Sequence, residues 1–228
     1  MTNEERMTVY TKVFQFVIDN RLGQVPIPFQ AMSRCLGVKL VPLSEICRKT
    51  GLEEEDIFQI WGNSDGCVSN YVNPTGWMHL RIAYNDRKPE GRIRFTVMEE
   101  FSHIILGHVV DPDFNVFRQS YEEEKYLQYD EEARMASGLL ICPPKLYYSH
   151  PERMSCQELQ RICRLTGQCA AARKKILDGY ESEIIGHPLY SQLPEPYFDA
   201  TAESAYSVPL SPYGESQDKI GEPVNFIF

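Results

Sequence analysis

The feature that most constrains the fold is an apolar stripe at helical spacing between Arg94 and Leu106. Its members are Phe95, Met98, Phe101, Ile105 and Leu106. Side chains at this spacing bury one face of an α-helix, and the glycine that follows, Gly107, suits a C-terminal cap. The sequence therefore predicts a core helix that ends at Gly107.

The polar residues of this helix form a candidate metal motif, M-E-E-F-S-H. Glu99 and His103 lie one turn apart, at i and i+4, so both project from the same face. This is the ligand spacing of the H-E-x-x-H motif of zincin metalloproteases, whose glutamate activates a metal-bound water. Glu100 holds the position of that general base, and Glu99 stands where the first histidine is expected. Without its flanks, the motif would also fit a solvated helix face.

The flanking sequence resembles the ImmA/IrrE family of metallo-endopeptidases. R-I-R-F-T-V-M-E-E-F-S-H-I-I-L-G-H, residues 92–108, is similar to the family block R-x-R-F-T-x-x-H-E-x-G-H-x-x-L-x-H, and a predicted hairpin over Cys67 to Tyr84 precedes it. E-A-R-M-A-S-G-L-L-I-C-P, residues 132–143, is similar to E-A-N-x-F-A-A-x-L-L-M-P. With a terminal helix pair, the resemblance spans roughly residues 5–178.

The resemblance implies an α+β fold of the minimal zincin-like type, mostly helical, with a small β-sheet or hairpin packed on the metal-site helix. It implies a domain over residues 1–185, including a terminal helix pair at 155–178. It also implies Glu132 as the third metal ligand. The predicted site is therefore Glu99, His103 and Glu132 around a divalent ion, with Glu100 as base and the substrate along the hairpin edge near Trp77 to Ile82.

The predicted ion is zinc, and manganese or iron are alternatives because two carboxylates and one imidazole form a harder donor set. The implied function is a metal-dependent endopeptidase that cleaves a protein, with a transcriptional repressor of a phage or mobile element as the implied substrate. The alternative is a catalytically inactive relative, without metal, that binds a regulatory protein.

The inactive alternative depends on Arg134, which replaces the Asn or Asp of the second family block. Arg134 and Glu99 could form a metal-free ion pair. Against this, Arg134 lies ~200° around its helix from Glu132, which favours Asp130 or Glu131 as its partner. His108, five residues after His103, would point ~140° away on a continuous helix and is not expected to share the ion. His79 is predicted to be a half-exposed strand residue.

Composition bounds the partners and the location. A net charge of -9 opposes binding to nucleic acid. A helix pair over 155–177 is locally basic, but core packing is the commoner use of such a pair.

Seven scattered cysteines, an odd number, favour reduced thiols in a cytoplasm. No apolar run approaches the ~20 residues of a membrane span, and the start is not a signal peptide.

The composition of residues 186–228, which is rich in Pro and Tyr, predicts an extended tail. The sequence leaves the oligomeric state open.

Overall fold

The computed structural model describes residues 1–72, 78–110 and 123–198. The helices are α1 (Asn3–Asp19), α2 (Phe29–Leu36), α3 (Leu43–Thr50), α4 (Glu54–Trp61), α5 (Glu90–Leu106), α6 (Glu123–Ile141), α7 (Pro144–Tyr148), α8 (Cys156–Cys163), α9 (Gly167–Gly179) and α10 (Glu181–Ile185). The strands are β1 (Val38–Pro42), β2 (Gly66–Val72) and β3 (Met78–Tyr84), and 3₁₀ turns lie at His108–Val110 and Tyr190–Gln192. This is the predicted α+β class. Among the described residues, no helix is both long and apolar enough to cross a bilayer.

The predicted hairpin forms, but its second strand is the centre of the sheet. β2 pairs antiparallel with β3, and β1 pairs parallel with β3, in the order β1-β3-β2. Both edges of β3 are occupied from Leu80 onward, so the predicted substrate path is wrong at Leu80 to Ile82. Met78 and His79 pair with β2 alone. Trp77 lies outside the described residues. Within those residues β2 is an edge strand, and an added strand would pair there.

The two faces of the sheet are covered by different helices. Because successive side chains of a strand point to opposite faces, Val68 and Ile82 join the main core, which includes the apolar residues of α5. Cys67 and Ala83 face a smaller cluster built from α3 and α4. The sheet is thus a buried layer that fixes the orientation of α5.

Helix α5 is the central element, as its apolar stripe predicted. Val97, Met98 and Phe101 are fully buried, and the helix packs against α1, α6 and both hairpin strands. It ends at Leu106, and Gly107 adopts a left-handed φ of +84°, which a residue with a β-carbon adopts rarely. The predicted glycine cap is confirmed, and it turns the chain sharply after α5.

The chain stays on the body of the domain past residue 186. Leu193 is buried, and Lys145 Nζ donates to the Leu193 carbonyl. The Tyr197 backbone bonds to Gly23 and Val25, at 2.9 Å in each case. Residues 199–228, most of the predicted tail, lie outside the described residues, so the boundary at 186 stays a prediction.

Candidate metal centre between helices α5 and α6

Helix α5 carries three of the four predicted site residues next to the sheet. Glu100 and His103 are 5% and 6% exposed, and the Glu99 side chain, nearer the surface, is 18% exposed. Glu100 Oε2 accepts the backbone N–H of Val68 in β2 at 2.8 Å. The predicted base is therefore held against the edge strand.

Glu99 contacts an arginine from the facing helix. Arg134 Nε lies 3.3 Å from Glu99 Oε1, and Arg134 Nη2 donates to Asp130 Oδ2 at 2.9 Å. We call Glu99, Arg134 and Asp130 the outer network. Arg134 thus bonds to Glu99 and also to Asp130, which lies one helical turn earlier in α6. The two residues were predicted as alternative partners, and Arg134 contacts both.

The surroundings of Glu99 raise the pKa of its carboxyl group. Burial is the largest effect and raises the pKa of Glu99 above its usual value, while the positive charge of Arg134 opposes the rise without cancelling it. Asp130 adds to the rise because its negative charge is close. A single exposed arginine does not fully compensate this carboxylate.

The other predicted ligands, His103 and Glu132, are joined through His108, which was not expected to share their ion. His103 Nδ1 lies 2.9 Å from His108 Nδ1, and His108 Nε2 lies 2.9 Å from Glu132 Oε2. His108 is 4% exposed. We call His103, His108 and Glu132 the inner network, which links α5 to α6 through the turn after α5.

His108 was expected to point away from His103, and this is wrong because the expectation assumed a continuous helix. A separation of ~140° holds only on a continuous helix, whereas α5 ends at Leu106 and His108 begins a 3₁₀ turn. The left-handed Gly107 folds the chain back, so the two rings meet edge to face with centroids 5.1 Å apart. The glycine cap, readable from the sequence, was the signal that could have revealed this contact.

Residues of α6 hold Glu132 and His108 in place. Gln128 Nε2 donates to Glu132 Oε1 at 2.9 Å, and the Tyr129 ring stacks on His108 with centroids 4.1 Å apart. Burial alone would raise the pKa of Glu132, but the hydrogen bonds from His108 and Gln128 outweigh it and lower the pKa. Glu132 is thus stabilised as an anion, the opposite of Glu99.

The donor chemistry of Glu99, His103 and Glu132 suits a divalent ion, but their arrangement does not fit one. Carboxylate oxygens and imidazole nitrogens are normal ligands, and a catalytic centre needs three that converge. Here Glu99 bonds to Arg134, and Glu132 bonds to His108 and Gln128. Across the described residues, no group of three or more His, Cys, Asp or Glu side chains is placed to hold a metal. The ligand roles remain predictions.

Other histidines lie away from the two networks. His79 is an exposed residue of β3, somewhat more exposed than predicted. His187 is buried, contacts the Thr11 hydroxyl at 3.1 Å and meets the Phe14 ring edge to face. Burial lowers the pKa of His187, so it packs as a neutral ring against α1.

The second helix of the basic pair, α9, contacts α6. Arg173 is 6% exposed, and its Nη1 donates to the Arg134 carbonyl at 2.8 Å. Its guanidinium passes so close to Gly138 that a β-carbon there would collide with Nη1. Lys174 bonds to Tyr147 and Asp178. These two cations of the locally basic helix pair therefore serve packing and internal bonds.

A buried helix that carries Glu100 and His103 beside a short sheet, with α6 opposite, defines a zincin-like domain. Residues 61–171 match the family model described as IrrE N-terminal-like domain, Peptidase_M78. The predicted resemblance is thereby confirmed. At the level of the family, the function is of the metallopeptidase type. The search of curated proteins and the search of solved structures gave no match.

Proposed function

We propose that this chain uses a metallopeptidase-type domain to bind a regulatory protein without cleaving it. One observation argues against cleavage: each predicted metal ligand is bonded to a protein group. Glu99 bonds to Arg134, His103 to His108, and Glu132 to His108 and Gln128. Polar groups that satisfy one another inside a domain hold its shape without an ion.

The departures of Glu99 and Arg134 from the family pattern support the same conclusion. A carboxylate replaces a neutral imidazole, and a guanidinium lies 3.3 Å from it. A fixed positive charge beside the site opposes a divalent cation electrostatically. Each residue thus offsets the charge of the other in a site without metal.

A second candidate is the metal-dependent endopeptidase that cleaves a repressor. The buried positions of Glu100 and His103 favour it, since both motif residues keep their places beside the edge strand. The Arg134 side chain is 56% exposed. Such a pair contributes about 0.2–1 kcal/mol, against about 10–16 kcal/mol for a structural zinc site. A metal could therefore displace Arg134 if three donors converged.

Glu100→Gln distinguishes the two candidates because it removes the base and keeps the shape of the side chain. The full chain and the variant are incubated with a mixed peptide library and with each of zinc, manganese and iron, and cleavage products are identified by mass spectrometry. The binding function predicts no cleavage by either protein. Metal-dependent cleavage by the natural chain that Glu100→Gln abolishes would establish the peptidase instead.

We also propose that the protein works in the cytoplasm. All seven cysteines lie in the described residues and none forms a disulfide, which supports a reducing compartment. The proposed partner is a protein. The charge of -9 supports a partner other than nucleic acid.

A further inference from the structure

The chain from Leu193 to Tyr197, L-P-E-P-Y, crosses a groove on the domain, and we call these five residues the docked segment. Leu193 has φ −56° and ψ 140°, which are values of the polyproline II conformation. Proline fixes φ at about −65° and restricts the residue before it to extended conformations. Pro194 and Pro196 therefore keep the docked segment in the form of an extended peptide.

The groove under the docked segment is apolar and is built by elements that are distant in the sequence. Its walls come from α1, from the end of α6 and from the start of α7, and they include Val13, Phe14, Val17, Leu139, Pro143 and Pro144. Leu193 is the only buried residue of the docked segment, all of which is described. An apolar cavity remains between the groove and Pro194 and Pro196. The segment thus has one buried anchor and packs more loosely than a protein core.

Lys145, in α7, holds the docked segment by charge. Its Nζ donates to the Leu193 carbonyl at 2.5 Å and to Glu195 Oε1 at 2.7 Å. The Lys145 side chain is only 15% exposed, and charge-assisted hydrogen bonds are stronger than neutral ones. Lys145 therefore selects a peptide that carries an acidic side chain two residues after its leucine.

The backbone of residues 23–25 pairs with the end of the docked segment. Tyr197 N–H donates to the Gly23 carbonyl, and Val25 N–H donates to the Tyr197 carbonyl, each at 2.9 Å. A β-carbon on Gly23 would lie 2.8 Å from the Glu195 carbonyl oxygen, which is closer than side chains come to backbone. The glycine therefore allows the segment to approach and form this parallel β-bridge.

We propose that the groove is a binding site for an extended, acidic, proline-containing peptide, and that the docked segment is its intramolecular ligand, released without unfolding of the domain. The groove accepts the leucine, Lys145 binds the acidic side chain, and residues 23–25 form the β-bridge. A segment with one buried anchor opens at a lower free energy than the core. Its release leaves a site that fits a second peptide of the same chemistry. The inference goes beyond the proposed function and uses no residue of the inner or outer network.

Amide hydrogen exchange of the full chain, followed by NMR, tests the release. The Val25 and Tyr197 amides report the β-bridge, and the amide of the buried Phe101 reports global unfolding. We expect the β-bridge amides to be protected, yet to exchange at least about 100-fold faster than that of Phe101. Lys145→Ala and Gly23→Ala should each accelerate their exchange by about tenfold or more and leave Phe101 unchanged. Exchange at the rate of Phe101, or no protection at all, would overturn the proposal.

Two control variants leave the docked segment in place. Lys49→Ala removes a lysine whose partner is Glu45 on α3, and Gly179→Ala adds a β-carbon that would meet no atom within 4 Å. Neither change should alter the exchange of the β-bridge amides. Effects as large as those of Lys145→Ala and Gly23→Ala would contradict the assigned roles of Lys145 and Gly23.

A peptide supplied in trans tests whether the groove is a site. Leu193→Asp in the full chain places a charge at the buried anchor and should release the segment, while Phe101 keeps its protection. A synthetic peptide of residues 190–198 should then bind this variant in isothermal titration calorimetry and restore the protection of Val25. The same peptide with Leu193→Asp should not bind. A variant chain that unfolds would show that the segment belongs to the core, and binding of neither peptide would show that there is no site; either result would overturn the proposal.

Discussion

The inner and outer networks join the same two helices, but they differ in how far they are removed from water. In the outer network the Arg134 side chain is 56% exposed, whereas His108 of the inner network is 4% exposed. An exposed ion pair contributes about 0.2–1 kcal/mol, while a buried polar group left without its partner costs about 1–3 kcal/mol. The inner network therefore fixes α5 against α6, and the outer network is the replaceable one.

His108→Ala should break the inner network with the largest effect. The change removes the partner of His103 and one partner of Glu132, and it leaves a gap beside Tyr129. We expect a loss of about 2–4 kcal/mol in the free energy of unfolding, measured by urea denaturation. Gln157→Ala, at an exposed position of α8, is the control and should change stability by less than about 0.5 kcal/mol. Equal effects of the two variants would contradict the distinction between the networks.

Gly138→Ala should disturb both networks together, because it acts on the position of α6. The new β-carbon would meet the buried Arg173 guanidinium, whose bond to the Arg134 carbonyl ties α9 to α6. Overpacking of this kind costs about 1–3 kcal/mol in the free energy of unfolding. Gly179→Ala is the matched control, since a β-carbon added there would meet no atom within 4 Å. A harmless Gly138→Ala would show that Arg173 has room to move.

Arg134→Ala should break only the outer network and have a small effect. The pair with Glu99 is half exposed, so we expect a loss of about 0.2–1 kcal/mol in urea denaturation. Arg161→Ala, at an exposed position of α8, gives the baseline for removing a surface arginine. A loss as large as that from His108→Ala would mean that the outer network carries the structure.

The two glutamates should titrate on opposite sides of the usual value of about 4.3. The lowered pKa of Glu132 means that its stabilisation is present above the unfolded value and is lost as the pH falls through the folded value. The raised pKa of Glu99 has the opposite effect on the free energy of unfolding. That free energy falls as the pH rises through the folded value of Glu99, because ionisation of the buried group is costly, and it recovers in acid. Carboxyl ¹³C NMR titration measures both, and a Glu99 midpoint below that of Glu132 would reverse the assignment.

Much of the fold was predictable because its signals are local. The apolar stripe of α5 and the Gly107 cap each depend on a few neighbouring residues. The central place of β3 was not predictable in this way, because it requires β1 to pair in parallel across two helices and strand β2. The error about the substrate path follows from that missing long-range information.

The candidate site was predictable in its residue types but not in its bonds. The motif and the family resemblance identified Glu99, Glu100, His103 and Glu132 as site candidates. The contact of His108 with His103 was missed because helical angles were extended past a glycine that reverses the chain. Arg134 was recognised as a departure, yet its simultaneous bonds to Glu99 and Asp130 depend on how α5 and α6 pack.

Metal retention by the natural chain tests the central claim most directly. The full protein is dialysed against zinc, manganese or iron, and bound metal is quantified per chain, with Glu99→Ala as the matched variant. Glu99→His combined with Arg134→Asn restores the family residues at both departures and is expected to gain zinc. The account predicts that the natural chain and Glu99→Ala both retain no stoichiometric metal. One equivalent bound by the natural chain and lost in Glu99→Ala would contradict it.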